Sequence, residues 1–397
     1  MARIYNALFT GQGAQYVGML DEFIESQTEI LNKANEILGY DLVEISRDEN
    51  KIYQTKFTQP FNFIYEYLKY KTFSNEYSWT PQYMIGHSMG EFVALTCANV
   101  LKFEDGLRLI SKRAELMSQV ESGYRMVSVI GIDIQDIEKL CNSYEDKYGK
   151  KVLISNCNGS LQTIVSIEDA EIERFKTFSI EKYSIVMIKE LKVLYPFHTR
   201  YMKPFADEFK ETVEKTEFLK PQVGLILNAN GRCFESEDLL VLKKYMVEQM
   251  YMPVRFTECM KQGFFTGVNT WIEFGPKPVL AKMLKREYNT LDVFHVNELL
   301  GESSEWEEST SARVSKEEIE DVLGKYLYVL SSSETKSENA DYSSISGKYR
   351  LLKKLHSSFE NKVSSEDYEY QIAYAKTLFE DAMSMKGYTK DEFCEFV

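Results

Sequence analysis

The chain opens on a short apolar run, Ile4 to Phe9 (IYNALF), that stops at Gly11-Gln12-Gly13. Unbroken apolarity over so few residues, closed by glycines, predicts a buried strand and a tight loop. Residues 19–38 carry apolar positions at helical spacing. A second run, Tyr83-Met84-Ile85, leads through Gly86-His87-Ser88-Met89-Gly90 into EFVALTCANVL, whose apolar residues keep helical spacing for three turns. Strand, sharp turn and helix in that order predict a nucleophile elbow.

From Arg125 to Lys192 the texture changes to short strand-like runs (MVSVIGI, VLISN, TIVSI, YSIVMI) separated by charged helical stretches (DIQDIEKLCNSYEDKYG and EDAEIERFKTF). This β-α-β-β-α-β order predicts a small ferredoxin-like unit. Helix at 200–215, strand at Val223–Leu227, helix at 237–250 and strand at 269–274 then resume an α/β alternation, so the small unit reads as an insertion. The fold expected is α/β, with a large α/β-hydrolase-like subdomain (1–124 and 193–300) around a parallel sheet and the ferredoxin-like subdomain at 125–192. Residues 301–397 form a helical C-terminal extension with polar linkers. There ESSEWEESTSARVSK and SSSETKSENADYSSIS read as linkers or disordered loops. Ser315-Lys-Glu-Glu318 offers a capping box ahead of Ile319, Val322, Leu323, Tyr326, Leu327 and Leu330, and a last helix is predicted over 365–386, stopping at Gly387.

Length and charge narrow the function. With 397 residues and 44% hydrophobic content the chain can build a large core. Lys and Arg number 47 against 61 Asp and Glu, for a net charge of −14, which argues against non-specific nucleic-acid binding. The six cysteines (Cys97, Cys141, Cys157, Cys233, Cys259, Cys394) show no metal-ligand spacing and read as reduced thiols. Neither a secretory leader nor an apolar run of roughly 18 residues is found, so a cytoplasmic protein off the membrane is expected.

Gly86-His87-Ser88-Met89-Gly90 matches G-x-S-x-G, in which small residues at both ends let the backbone project the serine hydroxyl from a strained turn. The following helix start aims N–H groups at a developing oxyanion. Serine needs a base, and the chain has four histidines. His87 is adjacent and points away on such a turn; His295 and His356 lack accompanying motif residues. His198, in Tyr195-Pro-Phe-His-Thr199, follows a strand-like run where the chain leaves the small unit. A packed or solvated ring is the competing reading for a lone histidine.

GQGAQ at 11–15, TQP at 58–60, GHSMGE at 86–91, KRAELM at 112–117, FHTRYM at 197–202, MPVRF at 252–256 and EFGPKPVL at 273–280 resemble, in order and spacing, the malonyl-CoA:acyl-carrier-protein transacylase family, over about residues 4–295. The resemblance implies Ser88 as the acyl-accepting nucleophile and His198 as its base, oriented by the backbone carbonyl of Gln249. It implies an oxyanion hole from the backbone N–H groups of Gln12 and Met89, and Arg113 as the residue that binds the free carboxylate of the malonyl group, a task suited to the guanidinium fork. Phe197 resembles malonyl-selective members, where serine marks methylmalonyl selectivity. Asn156, Asn158 and Gln162 resemble the polar loop near the cleft, although strand-end turn residues are an equal reading, as for Asn228 and Asn230. The sequence departs from the family at Lys277, Met252 and near Asn99 and Ile167, where the last two and Lys277 replace glycine. The extension past residue 300 resembles that of free-standing (trans-acting) acyltransferases serving polyketide synthases.

The expected function is therefore ping-pong transfer of malonyl from malonyl-CoA, through a Ser88 ester, to the phosphopantetheine thiol of an acyl carrier protein in polyketide or fatty acid synthesis. No metal or other cofactor is expected, and a monomer is. Lys277, Lys282, Lys285 and Arg286 are the candidate docking patch for an acidic carrier protein, and the extension is a candidate for docking on a partner. The alternatives are an acyl hydrolase clearing carrier proteins on the same scaffold, and a scaffold subunit with an inert Ser88.

Overall fold

In the computed structural model, residues 3–120, 123–183, 187–191, 193, 195–288, 290–301, 316–333, 335–337, 340–359 and 378–389 are described. Eleven strands form two sheets: β1 (Ile4–Phe9), β2 (Thr80–Gly86), β3 (Tyr124–Ile130), β4 (Val152–Gly159), β5 (Gln162–Glu168), β6 (Met187–Glu190), β7 (Gly224–Leu227), β8 (Arg232–Cys233), β9 (Val254–Arg255), β10 (Thr270–Glu273) and β11 (Asp292–His295). The first sheet has the order β11-β10-β1-β2-β7-β8 and is parallel except for the β7–β8 hairpin. Five of the six β1 residues are buried, as expected of a central parallel strand covered on both faces.

The helix that follows β2, Gly90–Cys97, has all eight residues buried. It is shorter than its apolar pattern suggests, because Asn99 takes a φ of 59° and turns the chain. Asparagine tolerates this left-handed conformation, which accounts for its standing where the family has glycine. Lys277, also in a glycine position, has an ordinary negative φ and needs no such tolerance. The periodic stretch at 19–38 divides into a 3-10 turn, Asp21–Phe23, and a helix, Thr28–Leu38. A 22-residue helix, Thr55–Glu76, packs with thirteen buried residues, polar ones among them, and burial on most sides hides its period from the sequence.

The second sheet has the order β6-β3-β5-β4-β9. Helix Ile134–Tyr148 lies between β3 and β4 in sequence, and helix Ile172–Lys182 between β5 and β6. Both pack on one face around Val127, Val129, Ile137, Leu140, Tyr144, Val165, Ile167 and Phe175. β3, β4, β5 and β6 pair antiparallel, while β9 adds to β4 in parallel, aligning Asn156 with Val254. Residues 1–266 and 270–301 form one compact unit.

A second unit holds residues 267–269 and 302–397. It contains helices Lys316–Ser332 and Tyr342–Phe359 and a helical turn region over 378–385. Leu323, Tyr326, Leu330, Ile345, Leu352, Phe379, Ala382 and Met383 are buried in it, with Tyr326 stacked on Phe379 at 4.6 Å. The Lys386 ammonium donates to the carbonyls of Leu330 and Ser333 at 2.7 and 2.6 Å, closing the end of the first helix. The helix from Tyr342 corrects the reading of ADYSSIS as linker. Asp341 accepts from the Ser344 N–H at its N-terminus, and Ile345 and Leu352 supply a buried stripe that the serines obscure. Ser315 and most of the 365–386 stretch lie outside the described residues.

Candidate active site

Gly86 and Gly90 hold the elbow. A Cβ on Gly86 would collide with the main chain of Gly90 and Glu91, and one on Gly90 with the carbonyls of Phe9 and Thr10. Between them Ser88 adopts φ 54°, a strained setting for an L residue that persists only where its surroundings over-determine it. Those surroundings are explicit. The Ser88 N–H donates to Asn228 Oδ1 at 2.7 Å, and the Ser88 carbonyl accepts from Gln249 Nε2 at 2.8 Å. Asn228 Nδ2 also donates to the Gly86 carbonyl at 2.7 Å.

His198 is likewise at positive φ, 60°, in a turn tied by Thr199 Oγ1 donating to the Pro196 carbonyl at 2.6 Å. Its Nε2 lies 2.8 Å from Ser88 Oγ, and its Nδ1 lies 2.6 Å from the Gln249 carbonyl. Since a carbonyl only accepts, Nδ1 carries the proton and Nε2 presents its lone pair to the serine. Gln249 closes the helix Leu239–Glu248, where main-chain carbonyls lack helical partners. Burial, with the charge of Arg113 adding, brings the His198 pKa down to about 3, so the ring is neutral.

Arg113, on the helix Phe103–Ser118, is fully buried. Its Nη1 donates to Gln59 Oε1 at 2.7 Å, and its Nη2 donates to Gln249 Oε1 at 2.7 Å and to Ser88 Oγ at 3.0 Å. The Nε hydrogen is buried without an acceptor. Burial lowers its pKa to about 9, with Glu91 opposing, so the charge persists at neutral pH. Among the described residues no carboxylate pairs directly with it. A desolvated cation held only by neutral oxygens, with a donor to spare, can receive an incoming anion.

Gln12, Met89, Phe197, Asn156 and Gln162 line one cavity of about 230 Å³ with Ser88 and His198. Met117, Met126, Ile164, Leu191, Val193 and Met283 give it a largely apolar wall, with Gln59 and His87 as further polar lining. Among the described residues the amides of Gln12 and Met89 donate to no protein acceptor. Phe197 stacks on Tyr195 at 5.3 Å. Asn158 also faces this space and lies 2.8 Å from His87 Nε2, so His87 is engaged away from the serine. His295 is bonded to the Gly275 carbonyl. Among the described residues Asn230 makes only a local turn contact, accepting from the Arg232 N–H.

Two residues at the site, Gln59 and Glu91, carry no sequence assignment, and Asn228 carries only the paired readings of polar loop or turn. Asn228, which is fully buried, opens the β7–β8 turn, and from there its side chain also holds the elbow. Gln59 and Glu91 are inside the TQP and GHSMGE strings, and that placement is the only signal that could have raised them. Glu91 accepts from the Asn228 N–H at 2.5 Å and from Gln249 Nε2 at 2.6 Å.

A serine with an aligned neutral imidazole, two uncommitted amides and a buried cation can carry acyl transfer on an anionic acyl group. Comparison with known proteins agrees. The acyl transferase domain family matches residues 7–319. The polyketide biosynthesis protein ThaF of Burkholderia thailandensis is 32% identical over 281 residues, covering 70% of this chain and 24% of that protein. The chain thus spans about a quarter of ThaF. The malonyl CoA-acyl carrier protein transacylase of Staphylococcus aureus is 32% identical over 292 residues, covering 70% and 91%. Among solved structures, the malonyl CoA-acyl carrier protein transacylase of Coxiella burnetii aligns with TM-score 0.71 at 28% identity over 76% of this chain and 97% of that one. A malonyl-transacylase in complex with a type II polyketide synthase acyl-carrier protein aligns with TM-score 0.67 at 29% identity, covering 74% and 95%. Matched along more than three quarters of its length, from β1 past β11, this chain belongs to the acyl transferase domain family and is an acyltransferase.

Proposed function

We propose that the protein transfers malonyl groups from malonyl-CoA to the phosphopantetheine thiol of acyl carrier proteins by a ping-pong reaction on Ser88. The observation that carries the reading is the buried Arg113, without a carboxylate in hydrogen-bond contact among the described residues and 3.0 Å from the serine oxygen. The proton of Ser88 Oγ passes to His198 Nε2 as the oxygen attacks the thioester carbonyl. The resulting oxyanion takes the N–H groups of Gln12 and Met89. On collapse the C–S bond breaks, and the departing coenzyme A thiolate takes the proton back from His198. The carrier thiol then gives its proton to the same nitrogen, attacks the ester, and Ser88 leaves with that proton. The malonyl carboxylate meets Arg113 throughout. This sequence needs no metal or redox cofactor.

The carrier protein reading is supported by the relatives' names and by four exposed cations beside the cavity. Lys277, Lys282, Lys285 and Arg286 form no ion pair among the described residues, and the last three share the helix Leu280–Glu287 with the cavity residue Met283. We read the second sheet, with strand order β6-β3-β5-β4 and two helices on one face, as a ferredoxin-like insert at 125–192 in an α/β-hydrolase-like body. The protein acts in the cytoplasm as a monomer in this reading; among the described residues no helix is long and apolar enough to cross a membrane. The test is incubation with labelled malonyl-CoA and mass spectrometry of the peptide bearing residue 88. A malonyl ester on Ser88, discharged by a holo-carrier protein and absent in Ser88→Ala, is expected. Free malonate as the main product would point to the hydrolase, and no adduct to an inert scaffold.

A further inference from the structure

We propose that Glu91 is a positioning residue for acyl transfer, its carboxylate fixing the orientation of the Gln249 side-chain amide and thereby aligning Arg113 and His198 as one unit. The inference rests on the reading of Arg113 as the clamp for the acyl carboxylate. Gln249 joins the two halves of the site. Its main-chain carbonyl takes His198 Nδ1, its Oε1 takes Arg113, and its Nε2 serves both the Ser88 carbonyl and Glu91 Oε2. Glu91 Oε1 holds the Asn228 N–H, and Asn228 holds the Ser88 N–H. One buried carboxylate therefore anchors both residues that grip the strained elbow.

The wiring has one consistent direction. Arg113 only donates, so the Gln249 oxygen must face it; Glu91 as a carboxylate only accepts, so the Gln249 nitrogen must face that side. A neutral group at 91 removes the second constraint. In Glu91→Gln the single oxygen is claimed by the fixed Asn228 N–H, leaving an NH₂ opposite the Gln249 NH₂. Reversing the Gln249 amide then sets donor against Arg113 and oxygen against the Ser88 carbonyl. Protonating Glu91 has a related effect. Burial pushes its pKa up to about 7, with Gln249, Asn228 and Arg113 pulling partly back. The groups facing it from neighbouring elements are Arg113, the Gln249 and Asn228 amides, and the Cys259 thiol, which burial keeps protonated. His198, neutral with a pKa near 3, does not titrate in that range.

The test measures kcat/KM for loading Ser88 from malonyl-CoA and from acetyl-CoA across about pH 5.5–8.5, a span that brackets the Glu91 transition. The full-length protein, Glu91→Gln, Glu91→Asp and Arg113→Ala are compared. Because the ratio of the two substrates cancels effects common to both, it isolates the clamp. We expect Glu91→Gln to lower the malonyl preference by about tenfold or more, as for loss of a charge-assisted hydrogen bond, and Glu91→Asp to restore part of it. In the unsubstituted protein the preference falls as pH drops through about 7, and in Glu91→Gln that fall is absent; a loss at the alkaline end belongs to Arg113, whose pKa is about 9 and is held up by Glu91. A folded Glu91→Gln with unchanged preference, or with both substrates reduced in proportion, overturns the proposal. So does a preference in the unsubstituted protein that ignores pH, a measurement that stands even where Glu91→Gln fails to fold. If Arg113→Ala keeps its malonyl preference the clamp reading itself fails; if it loses that preference and Glu91→Gln does not, only the role of Glu91 is lost.

Discussion

Replacing Arg113 separates two consequences of one charge. In the proposed reaction with malonyl-CoA the guanidinium would give charge-assisted hydrogen bonds to the far carboxylate, worth together about 3–5 kcal/mol in a desolvated site. Arg113→Ala should lower kcat/KM for malonyl loading about 100- to 5,000-fold by that amount. With acetyl-CoA the same group has nothing to bind, and its charge works against the base. Arg113 Nη2 is 3.0 Å from Ser88 Oγ, and His198 Nε2 is 2.8 Å from the same oxygen, so guanidinium and imidazole lie within about 6 Å. At an effective dielectric of about 20 that repulsion costs the imidazolium about 3 kcal/mol, or about 2 pK units. Burial is the larger cause of the low His198 pKa, and Arg113 the second. Removing the charge should leave acetyl loading unchanged or raise it by up to about tenfold through a stronger base. A bound malonyl carboxylate would offset the charge in the same way, so the intact site would have a stronger base with a dicarboxylic acyl group than with acetyl. Arg113→Lys keeps a charge without the planar fork and should reduce malonyl loading less than alanine does, with no gain on acetyl. Single-turnover loading of labelled acyl groups onto Ser88 measures both substrates, and a melting curve checks that each variant is folded. The reasoning is refuted if folded Arg113→Ala loads malonyl within about threefold of the unsubstituted protein, or loses both substrates equally.

Phe197→Ser removes a ring that is buried against Tyr195 at the cavity wall. It should shift the methylmalonyl-to-malonyl ratio upward by about 10- to 100-fold, the usual worth of one methyl in a tight pocket, at a cost in thermal stability from the space left behind. Competition between the two thioesters measures the shift, and an unchanged ratio would remove Phe197 from the specificity assignment. Reversing the charges of Lys282, Lys285 and Arg286 together should slow transfer to an acidic carrier protein, mainly in kcat/KM and most at low salt, while leaving loading from malonyl-CoA intact. Equal transfer rates at low salt would discard the patch.

What could be read in advance and what could not divide along sequence distance. The elbow was legible because its requirements are local: Gly86 and Gly90 are small for contacts made within a few residues or with the adjacent strand, and the pentad stands between a strand and a helix. Ser88, His198 and Arg113 belong to motif strings whose chemistry is carried by the residue type itself. The helix Thr55–Glu76 was not legible, since a helix buried on most sides has no amphipathic period, and Tyr342–Phe359 was masked by serines whose backbone competition was satisfied by an Asp341 cap. The hidden part of the site is its frame. Asn228 reaches Ser88 across 140 residues, and Gln249 reaches Glu91 across 158, so neither partnership leaves a spacing to read. Gln249 was expected for its backbone carbonyl alone, yet its side chain does as much, because one amide must face a cation and an anion at once. A glutamate there would repel Glu91, and a hydrophobic residue would take one acceptor from Arg113 and the donor from Glu91 Oε2. The amide is thus required by the two charges beside it, and the residue type at 249 follows from its place between Glu91 and Arg113 rather than from the histidine that it orients.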